Sequence, residues 1–272
     1  MAQYSSGGAY DDGHIGDGQF EVGEEGLYQG EGQYYAEQDG TTLYTGGEYS
    51  TVPDVLQLNH LCANAQAPVD TSEDAQRDAD ESWEFVREWL RSHNADAVRE
   101  AAEQRGESSM TALHFACRNH PPLDVINVFL SIALDTVQWP DTFGWLPIHY
   151  ACACAAGTDV ISALAEAYPE SRTTVDRRGR TPLHFALGQS NQNPDRLAPP
   201  GVVAILSNSG AAAYADENGM IPLHYACAYG ASEEALYVLT DAYHEAISTR
   251  DRGARTPLHF ALSNAGRKAS PG

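Results

Sequence analysis

Lysine is almost absent from this sequence, and its scarcity argues against one large class of functions. The 272 residues contain one lysine, Lys268, and 16 cations in all against 38 acidic side chains, which gives a formal net charge of -22. A phosphate backbone is bound mainly by clustered cations. We therefore expect no general nucleic-acid binding.

The sequence also lacks a long apolar run and an export signal. The longest apolar-rich stretch, residues 125–134, is interrupted by two polar residues and is shorter than the roughly 20 residues of a membrane span. The first eight residues have neither a basic nor an apolar region of a signal peptide. Five cysteines, an odd number, favour free thiols over a disulfide framework. We expect an intracellular protein, cytoplasmic or nuclear, that does not contact membranes.

Motifs of the common enzyme classes are missing as well. The sequence has no phosphate-binding loop, nucleophile elbow or zinc-protease motif, so it predicts neither an enzyme nor a cofactor. His149, Cys152 and Cys154 have residue types that bind zinc, but positions five apart on a helix point in different directions. We interpret these cysteines as buried hydrophobic residues and predict no metal site.

The first 82 residues are unlike the rest of the chain. They hold seventeen acidic side chains and one cation, Arg77. The first fifty contain twelve glycines and seven tyrosines, with no lysine, arginine, cysteine, tryptophan or proline. Such a segment buries too little apolar surface to offset chain entropy. We predict a disordered acidic tail over residues 1–82.

Five similar heptapeptides follow, and their histidines are 35, 35, 40 and 35 residues apart. They begin at Thr111, Leu146, Thr181, Ile221 and Thr256 and read TALHFAC, LPIHYAC, TPLHFAL, IPLHYAC and TPLHFAL. The motif and its spacing resemble the ankyrin-repeat family, whose signature is T-P-L-H-x-A in a repeat of about 33 residues. The resemblance covers residues 107–272.

The physical properties of the motif agree with that resemblance. Threonine followed by proline favours the start of a helix. A second apolar-periodic stretch follows the first four motifs, so each unit reads as a pair of helices that must stack on its neighbours. Trp83, Val86 and Trp89 form an apolar stripe ahead of the repeats. We predict an all-α, ankyrin-like helical solenoid over residues 107–272, N-terminal capping helices over 83–106, and the tail before them.

Some positions depart from the family pattern. Leu146 and Ile221 replace the threonine, which removes a helix cap. Ala254 replaces the glycine of the turn in the fifth repeat, where we expect a shifted geometry. Residues 144–187 align without gaps to residues 219–262, which indicates that repeats alternate in pairs. The counterpart of residues 196–201 ends the sequence, so we expect the fifth repeat to lack its second helix and the chain to be a fragment.

In ankyrin-like proteins the turns before each motif project as fingers and contact partners together with the inner helices. We number them by the repeat they open: finger 2 is residues 139–145, finger 3 is 174–180, finger 4 is 214–220 and finger 5 is 249–255. The candidate partner-binding residues are Trp139, Phe143, Trp145, Arg177, Arg178, Arg180, Tyr214, Glu217, Arg250, Arg252 and Arg255. For the tryptophans, packing between turns is the favoured alternative. For the arginines, an ordinary solvated surface stays open.

The repeated histidines carry a different prediction. They have no fixed carboxylate partner in sequence, so a role that satisfies backbone groups between units is expected rather than catalysis or metal binding. These structural positions are His114, His149, His184, His224 and His259.

The function predicted from these features is a non-enzymatic protein-interaction module or scaffold. Its partner is a protein or peptide, with an acidic segment, including the chain's own tail, as one candidate for the arginine-rich fingers. Two alternatives stay open at this point: a regulatory portion of a longer enzyme or channel, and a transcriptional co-regulator that uses the acidic tail.

Overall fold

The computed structural model describes residues 54–65, 72–188 and 197–268, and these residues form an all-α structure. The predicted tail up to residue 53 lies outside the described residues. In the described part the α-helices are α1 (Asp54–Asn64), α2 (Glu73–Ser92), α3 (Ala95–Glu103), α4 (Ala112–Arg118), α5 (Leu123–Ile132), α6 (Pro147–Ala153), α7 (Thr158–Ala167), α8 (Pro182–Leu187), α9 (Pro200–Ser207), α10 (Pro222–Tyr229), α11 (Glu233–Ala242) and α12 (Pro257–Lys268). Short 3-10 turns lie between several of them, and no strand occurs in this part of the chain.

Helices α4 to α12 form a two-layered stack. The inner layer runs α4, α6, α8, α10 and α12, each in contact with the next, and each begins at a repeat motif. The outer layer runs α5, α7, α9 and α11. Leu113, Ile148 and Leu183, which occupy the same motif position, are fully buried between successive inner helices. The core is therefore a continuous strip along the stack, as expected for repeats that each bury their neighbour's apolar face.

Three helices cover the first repeat. Trp83, Val86 and Trp89 are buried on α2, and α3 packs against α4 and α5. Helix α1 packs against α4 and buries Leu58 and Cys62. The structure thus places helical residues before the boundary at residue 82 that composition indicated. The reason is local: these two apolar residues, four apart, share one face of α1 although the surrounding segment is acidic on average.

Polar side chains attach this cap to the stack. The Asn119 side-chain amide donates to the carbonyls of Cys62 and Ala63 at 2.9 and 3.0 Å, which satisfies the C-terminal end of α1. Arg87 on α2 forms two hydrogen bonds with Asp124 on α5, at 2.7 and 3.1 Å. The N-terminal end of the stack is closed by both apolar and polar contacts.

Candidate functional site

Each of fingers 2 to 5 is a tight turn with the same backbone. In finger 3 the Asp176 N–H donates to the Arg180 carbonyl at 2.9 Å, and the Gly179 N–H donates to the Asp176 carbonyl at 3.0 Å. Gly179 has φ +76°, and a Cβ there would lie 3.3 Å from the Cα of Asp216. The turn therefore favours glycine both for its left-handed backbone and for its close approach to the next finger.

A buried aspartate organises each turn. Asp141, Asp176, Asp216 and Asp251 are each 6% exposed. In finger 2, Oδ1 of Asp141 accepts the backbone N–H groups of Phe143 and Trp145, both at 2.8 Å. Because a buried carboxylate must have its oxygens hydrogen-bonded, its Oδ2 also needs a donor.

The even-numbered fingers use a tyrosine for that donor. The Tyr150 hydroxyl donates to Oδ2 of Asp141 at 2.8 Å, and the Tyr225 hydroxyl donates to Oδ2 of Asp216 at the same distance. Burial, together with the neighbouring aspartate, raises the pKa of both tyrosines well above the ordinary value. Both phenols stay protonated and act as fixed donors.

The odd-numbered fingers use an arginine instead. Arg180 donates from Nε and Nη2 to Oδ2 of Asp176 at 2.9 and 2.8 Å. Phe185 stands where the even repeats have tyrosine, and the guanidinium lies 4.4 Å from its ring centre. Finger 5 repeats the arrangement: Arg255 bonds Oδ2 of Asp251 and lies 4.6 Å from the ring centre of Phe260.

This arrangement changes the interpretation of two candidate residues. Arg180 and Arg255 have an aspartate of their own turn as partner, and the Arg180 side chain is only 14% exposed. Although burial opposes it, bonding to Arg255 holds the pKa of Asp251 below its ordinary value. These two arginines support the fingers rather than extending from them.

Neighbouring fingers are joined by a ladder of backbone hydrogen bonds. In each finger, the residue that follows the aspartate donates its backbone N–H to the previous finger. The acceptor is the carbonyl of the second residue after that finger's aspartate. Arg177 donates in this way to Phe143 at 3.2 Å, and Arg252 donates to Asn218 at 2.9 Å. Finger 2 makes the same bond to Ser108, ahead of the first motif, at 2.9 Å. The ladder fixes the tips at repeat spacing.

The motif histidines connect each finger to the unit before it. His184 Nδ1 accepts the Thr181 N–H at 3.1 Å, so the ring proton lies on Nε2, which donates to the Met220 carbonyl at 3.1 Å. His114 makes the equivalent bonds to Thr111 and Trp145. Burial lowers the pKa of both to about 4, so both are neutral at pH 7.

The other motif histidines keep part of this scheme. His149 and His224 accept the N–H of Leu146 and Ile221 at 3.0 and 3.1 Å, so the departures from threonine remove a hydroxyl but not this bond. His224 Nε2 donates to the Arg255 carbonyl at 3.1 Å. His149 Nε2 has no hydrogen bond within the described ranges, and His259 is exposed.

The remaining candidates divide into tips and packed residues. Phe143 and Tyr214 are each 41% exposed, and Arg177, Arg250 and Arg252 are exposed. Arg250 donates to the Ala254 carbonyl at 2.9 Å. A looser ion pair of 3.7 Å joins Arg178 to Glu217 across two fingers.

The two tryptophans of finger 2 are packed. Trp145 is buried against the rings of Tyr150 and Phe185, with centroid distances of 4.8 and 4.4 Å. Trp139 is half-buried beneath the Arg105 guanidinium, 4.9 Å from the ring centre. Finger 2 therefore presents one aromatic tip, Phe143.

The turn of finger 5 corrects one expectation. Ala254 keeps the left-handed backbone, with φ 60°, and its N–H donates to the Asp251 carbonyl at 3.0 Å, as glycine does in the other fingers. The expected shift in geometry is wrong, because the aspartate and the ladder hold the backbone in place.

Comparison with known proteins identifies the repeats. Residues 208–261, which include fingers 4 and 5 and helix α10, match the family model described as ankyrin repeats (many copies). The chain is an ankyrin-repeat protein. The fingers and inner helices are thus those of ankyrin repeats.

Two curated relatives are similar to parts of this ankyrin-repeat chain. A probable 26S proteasome regulatory subunit, p28, of Saccharomyces cerevisiae is 26% identical over 141 residues, 51% of this chain and 58% of the relative. The SMC5-SMC6 complex localization factor protein 1 of Bos taurus is 30% identical over 132 residues, 48% of this chain and 12% of the relative. The chain therefore spans a little over half of the first relative's length and a small part of the second.

A solved structure shares the fold. A complex of a predatory endopeptidase and an immunity protein from Bdellovibrio bacteriovorus matches with a TM-score of 0.54 and 18% identity, over 77% of this chain and 92% of that chain. At that identity the likeness concerns the fold alone.

Cysteine, histidine and acidic side chains could act as nucleophiles or metal ligands in the described part of the ankyrin stack. None of the five cysteines forms a disulfide, and burial raises the pKa of Cys154 and Cys227 to about 11, so these two thiols are weak nucleophiles. Among the described residues, no three His, Cys, Asp or Glu side chains are grouped so that they could hold a metal ion. No helix in the same ranges is long and apolar enough to cross a membrane.

Sequence reasoning missed the exchange of tyrosine for arginine, although its signal is present in the sequence. The residue after the motif histidine alternates between Phe and Tyr. In repeats 2 to 5, which open with a finger, the last finger residue is arginine when the residue after the histidine is Phe, and it is not arginine when that residue is Tyr. Reading the two positions together assigns Arg180 and Arg255 to the aspartates of their own fingers.

Proposed function

We propose that this ankyrin-repeat chain is a non-catalytic scaffold that binds a protein or peptide through its finger tips and the adjoining inner helices. The observation that carries the proposal is the row of exposed tips on a fixed ladder: Phe143, Arg177, Tyr214 and Arg252. Side chains of aromatic residues and arginine are enriched among those that contribute most to binding. A rigid backbone beneath them limits the entropy lost on binding.

Charge favours an acidic partner. Six arginines lie in fingers 3 and 5 of a chain whose net charge is -22. After the internal pairs are formed, Arg177 and Arg252 are exposed without an ion pair in the part of the chain that is described. Glu217 lies on the finger between them, but Arg178 is 3.7 Å from its carboxylate and offsets its charge. An acidic segment of a partner would find cations two repeats apart.

The two curated relatives support a role in protein assemblies. One is a probable regulatory subunit of the proteasome and the other a localization factor of the SMC5-SMC6 complex. We propose the same general role for this chain. We also propose that it acts in the cytoplasm or nucleus, because its five cysteine thiols suit a reducing compartment.

Titration of the full chain with an acidic peptide tests the proposal. Residues 9–50 of this sequence provide the probe, because they contain acidic and tyrosine side chains without a lysine or arginine. We expect binding at about 20 mM salt that weakens strongly at about 300 mM, since exposed ion pairs are screened. The double variant Arg177→Gln, Arg252→Gln should weaken binding roughly tenfold, given about 0.2–1 kcal/mol for each exposed pair.

A matched control removes two exposed arginines elsewhere. Arg77→Gln with Arg91→Gln changes the charge equally but affects α2, where both residues pair within the helix. Binding should change less than about twofold. No binding at low salt, either to the full chain or to a variant from which residues 9–50 are deleted, would contradict the acidic partner, and equal losses in the two double variants would contradict the role of the fingers.

A further inference from the structure

Fingers 3, 4 and 5 present exposed side chains in the order cation, aromatic, cation. Arg177 and Arg252 are exposed and occupy the same position of fingers 3 and 5, directly after the buried aspartate. Tyr214, on finger 4 between them, is 41% exposed. Backbone hydrogen bonds join finger 4 to finger 3 and finger 5 to finger 4, so this order is fixed along the stack. A partner that spans the three fingers has to match it.

Glu217 adds a condition at the middle finger. Its side chain is 50% exposed, and its carboxylate is 3.7 Å from the Arg178 guanidinium. That pair offsets the net charge of finger 4, but the exposed carboxylate still repels a second carboxylate that is placed against it. An aromatic residue of a partner meets no such repulsion and finds the ring of Tyr214. The middle finger therefore favours an aromatic residue over an acidic one.

Helix packing sets the distance between the two cationic fingers. The inner helices α8, α10 and α12 pack in succession, and packed helices lie about 8–10 Å apart. Equivalent positions of fingers 3 and 5 are two repeats apart, or about 16–20 Å. An extended chain advances about 3.3 Å per residue, so about six residues cover this distance. A helix, at about 1.5 Å per residue, would need roughly 11–13.

We propose that fingers 3 to 5 select an extended segment of a partner in which two acidic residues are six positions apart and an aromatic residue lies midway between them. The two acidic residues pair with Arg177 and Arg252, and the aromatic ring packs against Tyr214. This inference rests on the acidic-partner binding proposed above. It adds that the order of the residues, and not the net charge alone, decides which acidic segment binds.

The sequence itself provides a probe with this order. Glutamate and tyrosine alternate at every third position within residues 25–37, at Glu25, Tyr28, Glu31, Tyr34 and Glu37. This stretch contains two pairs of glutamates six positions apart, each with a tyrosine midway. A peptide of residues 25–37 with Tyr28→Glu and Glu31→Tyr keeps the composition and the charge, but no two of its glutamates are six positions apart. The native and exchanged peptides therefore differ in order alone.

Titration with the two peptides at about 20 mM salt tests the proposal. Each peptide is titrated into the full chain and into the variant that lacks residues 9–50, in which the chain's own copy of the pattern is absent. The buried residues of the described part begin at Leu58, so the deletion removes none of them. We expect the exchanged peptide to bind about fivefold more weakly, because one exposed ion pair is lost.

Two variants of the chain test the middle finger. Tyr214→Ser should weaken binding of the native peptide about threefold and leave the exchanged peptide unchanged, because only the native peptide places a tyrosine there. Glu217→Gln should reduce the difference between the two peptides about twofold, because an acidic residue at finger 4 is no longer repelled. Tyr237→Ser, at a residue 66% exposed on α11, is the matched control and should change neither peptide.

The outcomes separate this inference from the function on which it rests. Equal binding of the two peptides would overturn the order rule and leave the acidic partner in place, and a helical partner would give the same result. Binding of residues 9–50 without binding of residues 25–37 would also overturn the rule, since another part of that segment would be recognised. If residues 9–50 do not bind either, the proposed function fails together with the rule.

Discussion

Fingers 2 and 4 differ from fingers 3 and 5 in how they satisfy one buried carboxylate. All four aspartates use Oδ1 for backbone N–H groups, but Oδ2 takes a tyrosine hydroxyl in the even fingers and an arginine in the odd ones. The backbone ladder is the same in both. The comparison shows that a repeat can exchange the supporting side chain without moving the turn, provided that two positions change together.

The exchange also decides which residues remain for a partner. In an odd finger, the last arginine forms an ion pair with the buried aspartate, and arginines such as Arg177 and Arg252 extend outward. In an even finger, the tyrosine is below the turn, and the exposed tips are Phe143 and Tyr214. Odd and even fingers therefore alternate between cationic and aromatic tips.

The largest effect is expected from removing an aspartate of an odd finger. Asp176→Ala leaves two backbone N–H groups without an acceptor and Arg180, largely buried, without its anion. Breaking such a pair costs about 3–5 kcal/mol. Urea unfolding of Asp176→Ala and Asp216→Ala should show a larger loss in the first, because Tyr225 is left neutral in the second.

An exposed carboxylate is the control for that experiment. Asp241→Ala on α11 should change stability by less than about 0.5 kcal/mol. If Asp176→Ala costs no more than this control, the aspartate does not organise the finger.

The next largest loss of stability is expected at the motif histidine, which follows both kinds of finger. His184→Ala removes its bonds to Thr181 and Met220 and should lower the free energy of unfolding by about 1–3 kcal/mol, whereas His259→Ala, at an exposed position, should cost less. Metal content should be unchanged in both. Stoichiometric zinc in the wild type that is lost in His184→Ala would contradict the structural role.

Acid should weaken the fold through the same residues. Burial lowers the pKa of His114, His149 and His184 to about 4, below the ordinary value of 6.5. The unfolded state therefore binds more protons between these values, and stability that is complete above pH 6.5 falls as pH falls toward 4. Urea midpoints at pH 7 and pH 5 check this, and a smaller acid loss in His184→Ala is expected. An equal loss would assign the acid sensitivity to other groups.

The fold was predictable from the sequence because one motif recurs five times with nearly constant spacing. Helix α1 was not predictable, because Leu58 and Cys62 can be recognised as core residues only when α4 is known to pack against them. The finger positions were predictable as well. Which arginines extend outward was not, because Arg180 and Arg177 differ in the neighbours that surround them rather than in residue type.

A coupled exchange tests whether the two supports are equivalent. Tyr225→Phe removes the donor to Oδ2 of Asp216 and should cost about 1–2 kcal/mol. Adding Met220→Arg supplies the arginine found at the same place in odd fingers and should recover part of the loss. The double-mutant coupling should be at least about 0.5 kcal/mol. Tyr237→Phe, at an exposed tyrosine, is the control, and additive effects of the coupled pair would mean that the two supports are not alternatives.

The smallest effect is expected at the one turn where alanine stands for glycine. Ala254 has φ 60°, a left-handed backbone that costs a non-glycine residue about 1–2 kcal/mol. Glycine removes this strain but loses more entropy on folding, roughly 0.5–1 kcal/mol. Ala254→Gly should therefore raise the free energy of unfolding by about 0.5 kcal/mol, the difference of these terms.

The reciprocal change, Gly179→Ala, should lower the free energy of unfolding by more than this, because a Cβ there also meets the Cα of Asp216 at 3.3 Å. Stabilisation by Gly179→Ala, or destabilisation by Ala254→Gly, would mean that the fingers do not share one backbone.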